Sequence, residues 1–259
     1  MTVRAAAVGL LGLCFGALLA CGDGAADDGG LEDEVVVFAA SSLTDAFESL
    51  ATAFEARHPG TRVRLSFASS AALAVQIDEG APADVFASAD LVQMAALAGK
   101  GRTPAGTNFA TNLPVVVVPR EGAKVSSFEG LAEPGLRLVL AGKDVPIGRY
   151  AREILTSAGA EFAARVLASL KSEESNVRAV LTKVELGEAD AGFVYMTDAA
   201  AGTVTSIAVP AAFQRLAIYP IAAVSEAKHP RAAAAWVAFV LSGEGQAILR
   251  EAGFGAPPP

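Results

Sequence analysis

The segment Phe38-Ala39-Ala40-Ser41-Ser42-Leu43 follows an apolar run that begins at Val35 and opens an amphipathic stretch, SLTDAFESLATAFEARH. Apolar residues fall at Leu43, Phe47, Leu50, Ala51 and Phe54, the rhythm of a helix with one buried face. A strand, small residues, two hydroxyls and then a helix bring unpaired backbone N–H groups and serine hydroxyls to one point. The positive end of the helix dipole lies at that point too. The same order recurs at Leu65-Ser66-Phe67-Ala68-Ser69-Ser70, which runs into AALAVQIDEG. Two segments thus deliver serines at a strand-to-helix switch, where open α/β sheets bind ligands, and a small anion suits such a place. Ser42 with Asp45 three residues on also fits a capping box, which needs no ligand.

The chain has 259 residues, enough for two compact lobes. Residues 1–20 stand apart: one cation, Arg4, precedes an uncharged apolar run to Ala20, the pattern of a secretory signal. The run is too short for a spanning helix. It ends Leu18-Leu19-Ala20-Cys21, which resembles a bacterial lipobox and implies acylation of Cys21; the alternative is ordinary cleavage that leaves a free thiol. Cys14 leaves with the signal, so the exported domain carries no disulfide. Residues 21–34, rich in Gly, Asp and Glu, read as a flexible acidic tether. The net charge is −8, but without Arg4 and the six tether acids the body is near −3. Such a body exerts no long-range pull on an anion, so affinity must come from local dipoles, and nucleic acid is not a fitting partner.

The fold class expected is α/β, with two lobes, each a mostly parallel sheet flanked by helices, joined by two crossing segments. Strands are expected over 35–38, 62–67, 84–87, 115–118, 136–141, 191–195, 204–209 and 216–224. Helices are expected over 43–57, 71–79, 90–98, 162–170, 176–186, 231–241 and 244–251, with one more after Pro146 and Gly148. Lobe 1 comprises residues 35–113 and 219–259, and lobe 2 comprises 114–218. Such a double connection forms a hinge.

Several chemistries lack their residues. His58 and His229 each precede a proline, with no cysteine or second histidine at ligand spacing, so no zinc site is expected. No G-x-S-x-G elbow and no G-x-x-x-x-G-K-[ST] loop occur, which argues against a serine hydrolase and a nucleotide-driven engine. An enzyme using Ser42 or Ser70 as nucleophile remains a reading, though it lacks a base.

VVVFAASSLTDAFESLATAF, SFASSAALAVQIDEGAPADVFASAD, VPIGRYARE and SNVRAVLTKVELGEADAGFVY together resemble the periplasmic molybdate-binding proteins of bacterial ABC transporters. The resemblance runs from Val35 to about Phe254. It implies the type II periplasmic-binding fold, with molybdate or tungstate held between the lobes by hydrogen bonds alone. Carried over by motif, it implies that Ser42 and Ser70 each offer a hydroxyl and a backbone N–H. It likewise implies backbone N–H donors at Ile147 and Val177, and a hydroxyl from Tyr195. Ile147 stands where some members have alanine, which bears on pocket shape more than on a backbone bond. By character alone, Ile147 and Val177 read as core positions and Tyr195 as a packing residue. Arg149 and Arg178 tempt as anion clamps but are expected to be structural, because the family binds without a countercharge.

The implied function is an exported solute-binding lipoprotein, not an enzyme, monomeric and without a cofactor. It would hand its oxyanion to an ABC permease with its ATPase, and would touch the membrane of the periplasm or cell surface only through the lipid on Cys21. A donor-only site accepts a fully deprotonated oxyanion and leaves the proton of hydrogen phosphate unpaired. Sulfate differs from molybdate only in size, and each donor it fails to reach costs on the order of 1.5–3 kcal/mol. The alternatives are a receptor for another tetrahedral oxyanion such as sulfate, or an oxyanion-sensing lipoprotein with no transport partner.

Overall fold

A computed structural model describes Thr2 and residues 31–200 and 202–258. Apart from Thr2, the expected leader, the expected acylation site Cys21 and the expected tether up to residue 30 lie outside these residues. The chain opens with β1 (Glu34–Ala40), α1 (Thr44–Arg57), β2 (Arg62–Ala68), α2 (Ser70–Asp78), β3 (Val85–Ala87), α3 (Leu91–Gly99) and β4 (Thr107–Asn112). It continues with β5 (Pro114–Pro119), β6 (Leu138–Ala141), α4 (Pro146–Ser157), α5 (Ala160–Ala168), β7 (Leu170–Glu174) and α6 (Val177–Glu185). Then come β8 (Ala191–Tyr195), a single turn α7 (Met196–Ala199), β9 (Val204–Ala208), β10 (Ala217–Ala223), α8 (Pro230–Leu241) and α9 (Gly243–Glu251).

These strands form two five-stranded sheets, ordered β2-β1-β3-β10-β4 and β7-β6-β8-β5-β9. The chain leaves the first sheet at Leu113 and returns between β9 and β10. In each sheet four strands point one way and one opposes them, β10 in the first and β5 in the second. Those two are the strands the chain enters just after crossing, so the sheets are mixed rather than simply parallel.

The apolar stripe of α1 decides where the first core sits. Leu43, Phe47, Leu50 and Phe54 are fully buried. Phe47 and Phe54 meet Trp236 of α8 edge-on, with ring centroids 5.8 and 5.3 Å apart. Burial of each such ring contributes about 1.5–3 kcal/mol. In the second sheet the run Val115 to Val118 of β5 is buried on both faces, as helix-covered strands are.

Three expectations are corrected. The helix expected to reach residue 170 ends at Ala168, and Leu170 opens β7. β7 is an edge strand reading LKSEE, whose charges carry no apolar strand signal. β4, TNFATN, was not expected either, since its strand character comes from pairing with β10 rather than from its polar residues. The body also begins earlier than residue 35. Leu31 packs on the core, and the Glu32 carboxylate accepts the Ala232 N–H of α8 at 2.7 Å. Glu34 pairs with Arg62 in the β1–β2 ladder.

Candidate functional site

Four helical starts follow the C-terminal ends of β1, β2, β6 and β7 and converge on one pocket. Its empty space, the open mouth included, is about 190 Å³, and it is walled by Ser42, Ser70, Ala89, Ile147, Val177 and Tyr195 among others. Every lining side chain is neutral. The five residues expected to hold a ligand are thus brought together, and all five are buried.

Two of them arrive from the first sheet. After β1 the backbone makes a 3-10 turn over Ser41–Leu43 before α1 begins. Ser42 does not cap α1, whose N-cap is Leu43 with no side-chain cap, so the capping-box reading fails. The turn directs the Ser42 hydroxyl inward, where its Oγ lies 3.1 Å from the Tyr219 hydroxyl. Asp45 instead pairs with Arg178 at 2.7 Å. After β2, Ser69 is the N-cap of α2 and accepts the Ala72 N–H at 3.2 Å. Capping by Ser69 leaves Ser70 for the pocket. The Ser70 Oγ accepts the Ala89 N–H at 2.9 Å, which leaves its own proton to point elsewhere.

The second sheet supplies backbone. Pro146 stands at the first position of α4, and the amides of that first turn, Ile147 included, have no partner within the helix. The start of α4 lies hard against the end of β6. A Cβ on Gly148 would sit 2.1 Å from the Gly142 carbonyl and 2.3 Å from that of Ala141. Only glycine permits this approach. Val177 opens α6 behind Asn176, whose side chain accepts the Ala179 N–H at 3.0 Å; the Val177 amide, at the pocket-lining start of the helix, has no partner within it.

Tyr195 closes β8. Its hydroxyl is buried and has no hydrogen-bond partner, the one pocket-lining side-chain atom in that state among the described residues. Burial holds the phenol well above its usual range, so it keeps its proton to donate. Hydroxyls, first-turn amides and this phenol make a ring of donors without a cation or a carboxylate. Such a ring binds an object that only accepts hydrogen bonds.

The two candidate cations are engaged elsewhere. Arg149 holds the buried Asp90 at 2.7 Å and Glu153 at 2.9 Å, and lies 4.7 Å over the Tyr150 ring. Arg178 contacts Asp45 and, at 3.1 Å, the buried Asp198. Neither guanidinium lines the pocket. Both span between elements of the first sheet and helices of the second. Asp198 also accepts the Tyr195 N–H at 3.2 Å, and burial raises its pKa to about 7 against the pull of Arg178. No group of three or more His, Cys, Asp or Glu suited to a metal occurs among the described residues. His229 instead bonds Asp84 at 2.8 Å, which raises its pKa.

Sequence reasoning missed Ala89, Gly148 and Tyr219. Ala89 and Gly148 act through backbone, and Tyr219 stands 177 residues from the serine it touches, so no local signal marks them.

Two mixed sheets joined by a double crossing, with helix starts around a small cleft, define a two-lobed solute receptor of the periplasmic-binding fold. Residues 35–255 match the family model for bacterial extracellular solute-binding proteins, and the chain belongs to that family. Its members are exported binding proteins rather than enzymes. The chain is 40% identical over 227 residues to the molybdate-binding protein ModA of Mycobacterium tuberculosis, covering 86% of this chain and 85% of that protein. The periplasmic molybdate-binding protein of Azotobacter vinelandii superposes with a TM-score of 0.77 at 23% identity, covering 86% of this chain and all of that one. The sulfate-binding protein SubI of Mycobacterium tuberculosis reaches 0.78 at 19% identity, covering 87% and 88%. At those identities the structural matches speak for the fold alone.

Proposed function

We propose that this protein captures molybdate, and tungstate with it, between its two sheets and delivers it to an ABC permease. Ser42, Ser70 and Tyr195 donate hydroxyl protons, and Ser42, Ser70, Ile147 and Val177 donate backbone N–H groups. No cofactor takes part. The observation that carries this reading is the buried Tyr195 hydroxyl, which has no partner and lines a neutral cleft. A buried donor left unpaired costs about 1–3 kcal/mol, a cost recovered when a guest supplies the acceptor. The close relation to molybdate-binding proteins of known name favours molybdate over sulfate within a fold that serves both.

Hydrogen phosphate is rejected because a donor-only ring offers its proton nothing to bond. Sulfate is rejected by size, because the smaller ion fails to reach every donor at once. We further propose that the lipobox-like Leu18 to Cys21 places an acyl anchor on Cys21, that residues 22–30 act as the tether, and that the receptor works as a monomer. Calorimetric competition among molybdate, tungstate, sulfate and phosphate tests the ligand: heat is expected from the first two only. Sulfate binding as tightly as molybdate would remove the size argument and leave the alternative oxyanion receptor.

A further inference from the structure

Tyr219 comes from β10, the strand on which the chain returns to the first sheet. The β10–β4 register slips between Tyr219 and Pro220, and such an irregularity re-aims a side chain. Its ring is fully buried, set edge-on to Phe109, Tyr195 and Phe254 at 6.2, 5.8 and 5.5 Å. Its hydroxyl stands 3.1 Å from Ser42 Oγ. It does not line the pocket.

The proton count around the two serines gives this contact a direction. A serine hydroxyl has one proton and two lone pairs. Ser70 Oγ already accepts a proton from the Ala89 N–H, so the Ser70 proton is available to a guest. Ser42 is in the same position only if Tyr219 donates to it. If the bond ran the other way, Ser42 would spend its proton on Tyr219 and present lone pairs to the cleft, which repels an acceptor-only oxyanion. Burial keeps the Tyr219 phenol protonated, against the opposing effect of hydrogen bonding by Ser42 and Asn112. The Ala89 N–H thus leaves Ser70 free to donate, and a proton from Tyr219 would do the same for Ser42.

We propose that Tyr219 is a positioning residue that donates its phenolic proton to Ser42 Oγ and so fixes Ser42 as a donor toward an oxyanion in the cleft. This rests on the functional reading above. Tyr219→Phe keeps the ring among its aromatic neighbours and removes only the donor. A double-mutant cycle with Ser42→Ala, read by molybdate titration calorimetry on variants with cooperative melts, separates positioning from packing. Tyr219→Phe is expected to weaken molybdate about tenfold in the wild-type background. It is expected to change affinity less than about twofold once Ser42 is alanine, because its effect passes through Ser42. Equal losses in both backgrounds, or wild-type affinity in the single variant, overturn the proposal.

A second measurement needs no variant. Neutron diffraction of the deuterium-exchanged wild-type protein loaded with molybdate is expected to place the Tyr219 deuteron on the line to Ser42 Oγ. A Ser42 deuteron pointing back at Tyr219 overturns it. Wild-type protein that takes no molybdate removes the functional reading and this proposal together, whereas molybdate binding with an additive cycle removes this proposal alone.

Discussion

The two halves of the cleft reach the same chemistry by opposite means. The half built on the first sheet offers side-chain hydroxyls, and the two serines expected to bind have protein partners, Tyr219 for Ser42 and Ala89 for Ser70. The half built on the second sheet offers amides under apolar side chains, and its one hydroxyl, on Tyr195, has no partner. The Ser42 and Ser70 hydroxyls thus have partners before a ligand arrives. On the second half the donors wait unpaired, so that half gains most when the ligand binds. Side-chain deletions should therefore strike the halves differently.

The sharpest way to break this contrast is Gly148→Ala. Its new Cβ collides with two carbonyls, which forces the start of α4 outward and carries the Ile147 amide with it. We expect a loss of molybdate affinity of at least about a hundredfold and about 1–3 kcal/mol of stability, read by calorimetry and thermal melts. Tyr195→Phe comes next: affinity falls by roughly ten- to a hundredfold while the unliganded protein stays as stable or gains slightly. A clear loss of unliganded stability there would show that the hydroxyl has a partner after all. Ser70→Ala should behave in the opposite sense, with about tenfold weaker binding and about 1–3 kcal/mol lost, because the buried Ala89 N–H is left without an acceptor.

Val177→Ala probes the backbone claim with a smaller effect. The core loses about 2 kcal/mol, yet affinity stays within about threefold, since the amide remains. The last effect is on stability against pH, with affinity left aside. Asp198, beneath Tyr195, has its pKa raised by burial from 3.8 to about 7. The native state therefore holds that proton more tightly than the unfolded chain, and stability falls as pH rises between these two values. His229, whose pKa is raised, adds a fall of its own as pH rises through its folded pKa. Comparing wild type with Asp198→Asn isolates the first term: the variant's melting curve should be flatter from about pH 4 to pH 7.

The difference between the halves also accounts for what could be read in advance. Paired serines between an apolar strand and an amphipathic helix are visible as residues, so Ser42 and Ser70 are legible from local chemistry. Ile147 and Val177 are apolar and look like core, which they also are; without the family resemblance nothing marks their amides. Tyr195 ends a buried strand, and whether its hydroxyl is satisfied depends on neighbours remote in sequence. The polar strands β4 and β7 escaped for a related reason, because edge pairing rather than an apolar run makes them strands.

Sequence by itself settled the alternation of strands and helices, the buried stripe of α1 and the two serine turns, since these follow from periodicity and residue chemistry acting over a few positions. Tertiary structure alone decided that four helical starts meet, that Arg149 and Arg178 are spent on carboxylates, and that Tyr219 reaches Ser42. Those outcomes depend on distances between segments that the chain brings together only when both sheets have packed, and no local rule encodes a distance across a cleft.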